Sequence, residues 1–592
     1  MTEKTEKTEK NTTYILQGVA ASPGIAIGKV FLMEDEEFYP VQREVLKDDT
    51  KKEINKFREA LSKTRAEMLA TQENIYKILG KEYARLADAY LLILEDPIMT
   101  RDVVKRISEG INAEYALFKV LERVIRSFEM IDDEYFRERK HDIQDVGKKI
   151  LRHLMGKDKR SISEVASECI VVAHNLSPAD TIAMRENLIK GFATDIGGRT
   201  SHTAIVAQSL EIPAVVGLKN ITGQMHEGDI VIVDGNQGLV VVNPSPEIIE
   251  NYRREQEVIV LEGRELEKLR DLPAQTTDGH RVTIAANIDN PEEVKSVLKH
   301  GAEGVGLYRT EFLYFNRTEM PTEEEHYQNY LRAGQKLLPH SVIVRTMDIG
   351  GDKLSHLGFE GFSEETNPFL GMRAIRLCLK YPAIFKTQLR GILRASGDCR
   401  LKIMYPMVSS VHEILAANKI LEECKEELRK EGKKFDENIE VGVMIEVPSA
   451  AITADLIAKE TDFLSIGTND LIQYTLAVDR VNENVADLYE PLHLSILRLI
   501  KNIVDAGHRA GKWVGMCGEM ACDPTFTMLL IGLGLNEFSV SPVAVPKIKK
   551  IARSVSLVDS KALVEEIMDS SSKEEIMKAM KRSEFKGSTI SN

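Results

Sequence analysis

The second half of this chain carries a pattern that few folds can satisfy. Eight short runs rich in β-branched residues alternate with helical stretches between Val282 and Pro542. They read V-T-I-A-A-N-I (282–288), G-V-G-L-Y-R-T (304–310), V-I-V-R-T-M-D-I (342–349) and L-K-I-M-Y-P-M-V (401–408), then E-V-G-V-M-I-E-V (440–447), F-L-S-I-G-T-N-D (463–470), W-V-G-M-C-G-E (513–519) and E-F-S-V-S-P (537–542). Eight strand-then-helix units in succession predict a (β/α)8 barrel.

Such a barrel carries its active site at the C-terminal ends of its strands. The residues expected there are Arg309-Thr310-Glu311 on the second run, and Arg345 and Asp348 on the third. Glu446 ends the fifth run, and Asn469-Asp470 lie on the sixth with Arg480 following. Cys517-Gly518-Glu519 close the seventh. Cations, carboxylates, an amide and a thiol thus converge on one rim. Any one alone reads as a structural ion pair; the shared position reads as a site. Guanidinium groups match phosphate and carboxylate oxyanions. Two neighbouring carboxylates can hold a Mg²⁺ that also takes substrate oxygens. A rim thiol can donate a proton.

A second informative stretch is Thr194–Gly217, T-D-I-G-G-R-T-S-H-T-A-I-V-A-Q-S-L-E-I-P-A-V-V-G. A Gly-Gly turn opens a predicted helix over Thr203–Leu210, with His202 at its start. Free backbone N–H groups and the positive end of the dipole suit a phosphate there. An imidazole in that place can be a nucleophile. A lone histidine at a helix start is an ordinary capping residue; the string around this one sets it apart.

The rest of the chain divides by periodicity. Leu16–Phe31 predicts a strand, a turn and a strand. From about Lys47 to Met155, amphipathic helices are predicted over Glu53–Leu69, Glu82–Leu94, Ile98–Glu109, Ala113–Phe128 and Asp132–Leu154, which together make a bundle. Cys169–Val242 returns to alternating strands and helices, and Pro244–Leu272 reads as a charged linker helix. The 592 residues are too many for one core, so several domains are expected. The T-E-K-T-E-K-T-E-K start lacks the apolar core of a signal peptide, and no run approaches a membrane span. A net charge of −14 argues against non-specific nucleic-acid binding. Six cysteines without a C-x-x-C point to a reducing cytoplasm.

The phosphohistidine-like string resembles that of enzymes using phosphoenolpyruvate (PEP). It is most similar to Enzyme I of the bacterial sugar phosphotransferase system. G-L-Y-R-T-E-F-L, V-R-T-M-D-I-G-G-D, E-V-P-S-A, G-T-N-D-L-I-Q-Y, G-M-C-G-E, L-L-I-L-E-D-P and S-P-A-D-T extend the likeness over about residues 14–575. The resemblance implies a multidomain α/β protein: a discontinuous phosphohistidine swivel domain with an inserted helical bundle, then the barrel. It implies that PEP phosphorylates His202, forming pyruvate, and that the group passes to a histidine of the carrier protein HPr. It assigns Arg309, Arg345, Asn469, Asp470 and Arg480 to substrate, Glu446 and Asp470 to Mg²⁺, Cys517 to proton donation, and Thr181 to orienting His202.

The implied division is a tail at 1–13, a swivel domain at 14–33 and 160–243, and an HPr-binding bundle at 34–159. A linker helix at 244–274, the barrel at 275–578 and a tail at 579–592 complete it. A cytoplasmic homodimer joined through the barrel, without nucleic-acid or membrane partners, is the family's expected state. One departure is Tyr90, where the family often has histidine. A pyruvate-phosphate dikinase or PEP synthase would need an ATP-binding domain for which there is no room. A non-catalytic regulatory carrier would have no need of the complete rim set.

Overall fold

The computed structural model describes residues 13–33, 40–79, 91, 93–129, 134–156, 162, 165, 167–176, 180, 184, 188–198, 204, 207, 212–314, 319–350, 367–480, 482 and 485–588. Tyr90, Thr181 and His202 lie outside the described residues, as do most of the helix expected over Glu82–Leu94 and the T-E-K repeat. The chain forms two compact units, residues 1–260 and 261–592.

The first unit contains an eight-stranded sheet: β1 (Tyr14–Gln17), β2 (Val19–Ser22), β3 (Ile25–Met33), β4 (Cys169–Ala173), β5 (Ile189–Thr194), β6 (Ala214–Val216), β7 (Ile230–Asp234) and β8 (Leu239–Val242). Its order is β1-β8-β7-β3-β4-β5-β6-β2, so strands from both sequence segments interleave in one sheet. The domain is therefore discontinuous in sequence.

Three strands replace the two expected at its start, and Gly18 is the reason. β1 pairs with β8 and β2 with β6, at opposite ends of the strand order, with only Gly18 between them. A Cβ there would lie 2.7 Å from the Val216 carbonyl oxygen and 2.7 Å from a Val215 methyl. Only glycine lets the chain step across that approach. Alternating side chains build one apolar layer on each face. Phe31, Val171 and Phe192 lie on one side, and Val30, Ile170, Val172 and Ala193 on the other.

The helical segment contains Thr50–Leu79, Pro97–Ser108, Ala113–Glu129 and Glu134–Met155. The first runs past its expected end because residues 70–79 contain no glycine or proline. Asp96 caps the second, accepting from Ile98 N at 2.8 Å with Pro97 at the first helical position. Phe57, Val103, Ile107, Leu117, Val120, Val146 and Ile150 form the core between the helices. Gly147 allows the last two to cross closely: a Cβ there would meet Leu121 at 2.4 Å.

In the second unit all eight expected strands form: β9 (Thr283–Ile288), β10 (Val305–Tyr308), β11 (Val342–Arg345), β12 (Leu401–Tyr405), β13 (Val441–Ile445), β14 (Phe463–Ile466), β15 (Trp513–Met516) and β16 (Glu537–Val540). They pair in parallel and close, β16 returning to β9. Leu307, Ile343, Met404, Met444, Phe463 and Cys517 fill the barrel interior. The outward-facing residues join the helices in a much larger core. Among the described residues no helix is long and apolar enough to cross a membrane.

Candidate active site

Strand alternation explains how the rim set assembles. Side chains two apart share a face. Leu307, Ile343 and Met444 point into the barrel, so Arg309, Arg345 and Glu446, two residues on, follow them on the same face at its upper end. Cys517 itself lies in that interior cluster. Asn469 and Asp470 open the helix Thr468–Leu476 directly after β14.

Arg345 is the centre of the site. It is 9% exposed and its Nη2 and Nη1 meet Glu311 and Asp348, both at 3.0 Å. Glu311 also accepts from the Asp348 backbone N–H at 3.1 Å. Burial disfavours the Arg345 charge, but Glu311, Asp348 and Glu446 outweigh it and hold the pKa above the ordinary value. Burial would raise the Asp348 pKa, yet Arg345 and Arg373 hold it low. The Arg345 Nε is buried without a hydrogen-bond partner among the described residues. An unused buried donor on a fixed guanidinium suits an oxyanion.

Glu446 and Asp470 show the opposite imbalance. Burial, then Asp470 and Asp348, push the Glu446 pKa well up, although Arg345 and the Met407 N–H at 2.6 Å oppose this. Burial also raises Asp470, with Arg373 opposing and Asp348 adding to the rise. Two buried carboxylates whose charged forms are both disfavoured fit a divalent cation. No larger cluster of metal-ligating side chains occurs among the described residues. Met407, which holds Glu446, has φ +56°. That left-handed conformation is strained for a residue with a Cβ.

The Cys517 thiol is 3% exposed, and burial pushes its pKa up to about 11. Ser465 Oγ donates to its sulfur at 3.4 Å, and the Ile466 carbonyl lies 3.8 Å away. At neutral pH it is a thiol and retains its proton. Arg309 pairs with Asp289 at 3.2 Å. Arg480 pairs with Glu519 at 3.0 Å, and Asn469 Nδ2 donates to that same carboxylate at 3.1 Å. Arg309, Arg345, Glu446, Asn469, Asp470, Arg480 and Cys517 therefore share one barrel mouth.

Arg373 was not legible in the sequence. Its Nη2 meets Asp348 at 2.8 Å, and its pKa is raised because Asp348 and Asp470 outweigh its burial. It lies well beyond the end of β11, so a search of strand ends passes it by. An isolated bridge between Gly350 and Arg373 returns it to the rim. The available signal was a cation amid the small and apolar residues of F-L-G-M-R-A-I.

In the first unit, Asp195 marks the start of the loop that leads to His202. It is 4% exposed and accepts from Ile221 N, from Thr222 N at 3.2 Å and from Thr222 Oγ1 at 2.5 Å. His174 Nδ1 lies 3.0 Å from Oδ2, the oxygen that also accepts from Thr222 Oγ1. Ala204 and Ala207, beyond His202, are helical and wholly buried.

Comparisons with known proteins match three families of PEP-utilising enzyme domains: the N-terminal domain over residues 17–139, the mobile domain over 165–238 and the PEP-binding domain over 263–557. A phosphoenolpyruvate-protein phosphotransferase of Staphylococcus carnosus is 46% identical over 563 residues, covering 95% of this chain and 98% of the relative. One from Bacillus subtilis is 45% identical over 567 residues, covering 96% and 99%. A solution structure of an Enzyme I protein is 44% identical and covers 41% of this chain and 99% of its own, with a TM-score of 0.36.

Proposed function

The chain belongs to the phosphoenolpyruvate-protein phosphotransferases, enzymes that transfer a phosphoryl group from PEP to a protein histidine, and from that premise we propose how its residues divide the work. Arg309, Arg345, Arg480 and Asn469 grip the phosphate and carboxylate of PEP. Arg373 joins them, since it shares Asp348 with Arg345. Glu446 and Asp470 hold Mg²⁺, which when bound neutralises charge on the substrate oxygens.

A ring nitrogen of His202 attacks phosphorus, and the bond to the bridging oxygen of PEP breaks. The electron pair left on enolpyruvate takes a proton at C3 from the Cys517 thiol, giving pyruvate and a thiolate. Thr181 orients the imidazole before transfer. The phosphoryl group then passes to a histidine of HPr, docked on the bundle at 34–159. The swivel domain at 14–33 and 160–243 moves between carrier and barrel (275–578), with 244–274 as linker. The working form is a cytoplasmic homodimer joined through the barrel.

The observation that carries this reading is the buried network around Arg345. It keeps a charged guanidinium in place with one donor unused among the described residues, beside two crowded carboxylates and a protonated thiol. The test is incubation with labelled PEP and Mg²⁺. An acid-labile, base-stable phosphoprotein is expected, and His202→Ala should abolish it with the fold intact. Undiminished label in that variant overturns the assignment. Cys517→Ala should bind PEP with near-normal affinity by calorimetry while pyruvate formation collapses. Wild-type turnover there removes the thiol from the mechanism.

A further inference from the structure

Glu519 stands just beyond Cys517 and has no role in the chemistry above. Its backbone N–H donates to Asn469 Oδ1 at 2.8 Å, while Asn469 Nδ2 donates to its Oε1 at 3.1 Å. The Asn469 amide is therefore held at both ends by one residue, which fixes which end is donor and which acceptor. The same Oε1 accepts from Arg480 Nη1 at 3.0 Å. One carboxylate thus ties together two groups that arrive from different places in the chain.

The backbone around it is built for this. Gly518 presses against the loop after β14. A Cβ at Gly518 would lie 1.9 Å from Thr468 Oγ1 and 2.5 Å from Thr468 N. The Cys517 N–H donates to the Ile466 carbonyl at 3.1 Å. The thiol-bearing loop and the Asn469-Asp470 loop are thereby locked side by side, with Glu519 closing the contact on the solvent side.

We propose that Glu519 is a positioning residue for PEP binding: it sets the amide of Asn469 and the guanidinium of Arg480 in the orientation that meets the substrate. This rests on the reading that Asn469 and Arg480 contact PEP. The Asn469 amide carries a second N–H, and Arg480 has further donors, so both can serve Glu519 and substrate together. The role is one of orientation, and an uncharged acceptor of the same shape fills it.

The test uses the full-length protein with Mg²⁺ and labelled PEP, reading the half-saturating PEP concentration and the maximal rate of labelling. Glu519→Ala should raise the half-saturating concentration on the order of tenfold, within the range for hydrogen bonds to charged groups after allowing for exposure. The maximal rate should change less than about threefold. Glu519→Gln keeps an acceptor oxygen and should stay within about threefold of wild type on both measures. The side chain is 73% exposed, so both variants should fold, and melting curves check this. Wild-type saturation in Glu519→Ala overturns the proposal. Equal impairment in Ala and Gln also overturns it, since charge would then be the cause. Asn469→Ala and Arg480→Ala separate the two levels. If they leave saturation unchanged, the substrate reading fails. If they raise it while Glu519→Ala does not, the positioning role alone fails.

Discussion

The two ends of the barrel interior are built from similar residue types and balanced in opposite ways. At the base, where the strands begin, Phe463 and Trp513 stack with centroids 4.6 Å apart and planes 8° from parallel. Lys402 lies 4.9 Å from the Trp513 ring and 2.8 Å from Glu440. Its charge is met by an aromatic face and a carboxylate. Glu537 fills the space over Gly306, where a Cβ would come within 2.7 Å of its Oε1. Burial pushes its pKa up to about 7, with Lys402 opposing and Glu303 and Glu440 adding to the rise.

At the rim, charges outnumber comfortable partners. Arg345 has a donor without a partner among the described residues, and burial together with neighbouring carboxylates pushes both Glu446 and Asp470 up. The base is polar because a closed barrel must fill its end. The rim is polar in a way that leaves it incomplete until substrate and cation arrive. That distinction, more than the presence of charge, separates a binding site from a structural cluster.

The largest effect should come from Arg345→Met. It takes the cation from the largely buried Glu311 carboxylate and leaves Asp348 to Arg373 alone, which should cost about 3–5 kcal/mol of stability. PEP-dependent labelling should fall by about a thousandfold or more. Retained labelling in a folded variant would erase the contrast between the two ends.

Glu446→Gln should cut labelling by about a hundredfold or more while relieving the repulsion with Asp470. Mg²⁺ should raise the melting temperature of the wild type and leave that of the variant unmoved. An equal Mg²⁺ response in both would show that the carboxylate pair is not the cation site.

At the base, Glu537→Gln should alter stability without altering labelling by more than about twofold. The folded pKa of Glu537 lies above its ordinary 4.5, so its stabilising contribution is fully present below that value and lost as pH rises through about 7. Between pH 4.5 and 8, melting curves should therefore shift in favour of the variant by about 3 kcal/mol. A flat difference would mean that Glu537 is solvated.

The smallest effect should be that of Lys402→Met, a loss of about 1 kcal/mol from its aromatic and ionic contacts, with labelling unchanged. Lost activity in either base variant would make the base part of the site.

The architecture was legible because short-range rules repeat. Eight apolar runs separated by helices leave a closed parallel barrel as the natural way to cover every strand. The strand ends then point to Arg309, Arg345, Glu446 and Cys517. Gly18 escaped notice because its significance is a backbone approach between the two edges of a sheet. Arg373 escaped because its neighbour in space is Asp348, reached through a loop whose path no local pattern encodes.

What the sequence determined alone is the periodicity, hence which side chains face inward and at which strand end they emerge. That follows from the fixed geometry of a strand. Only the tertiary structure decided the chemical state of those groups: a charged Arg345, a pair of carboxylates pushed toward protonation, a thiol that keeps its proton, and an Asn469 amide held by Glu519. Charge and hydrogen bonding depend on distance and burial, and both are set by which strands and loops the closed barrel brings together.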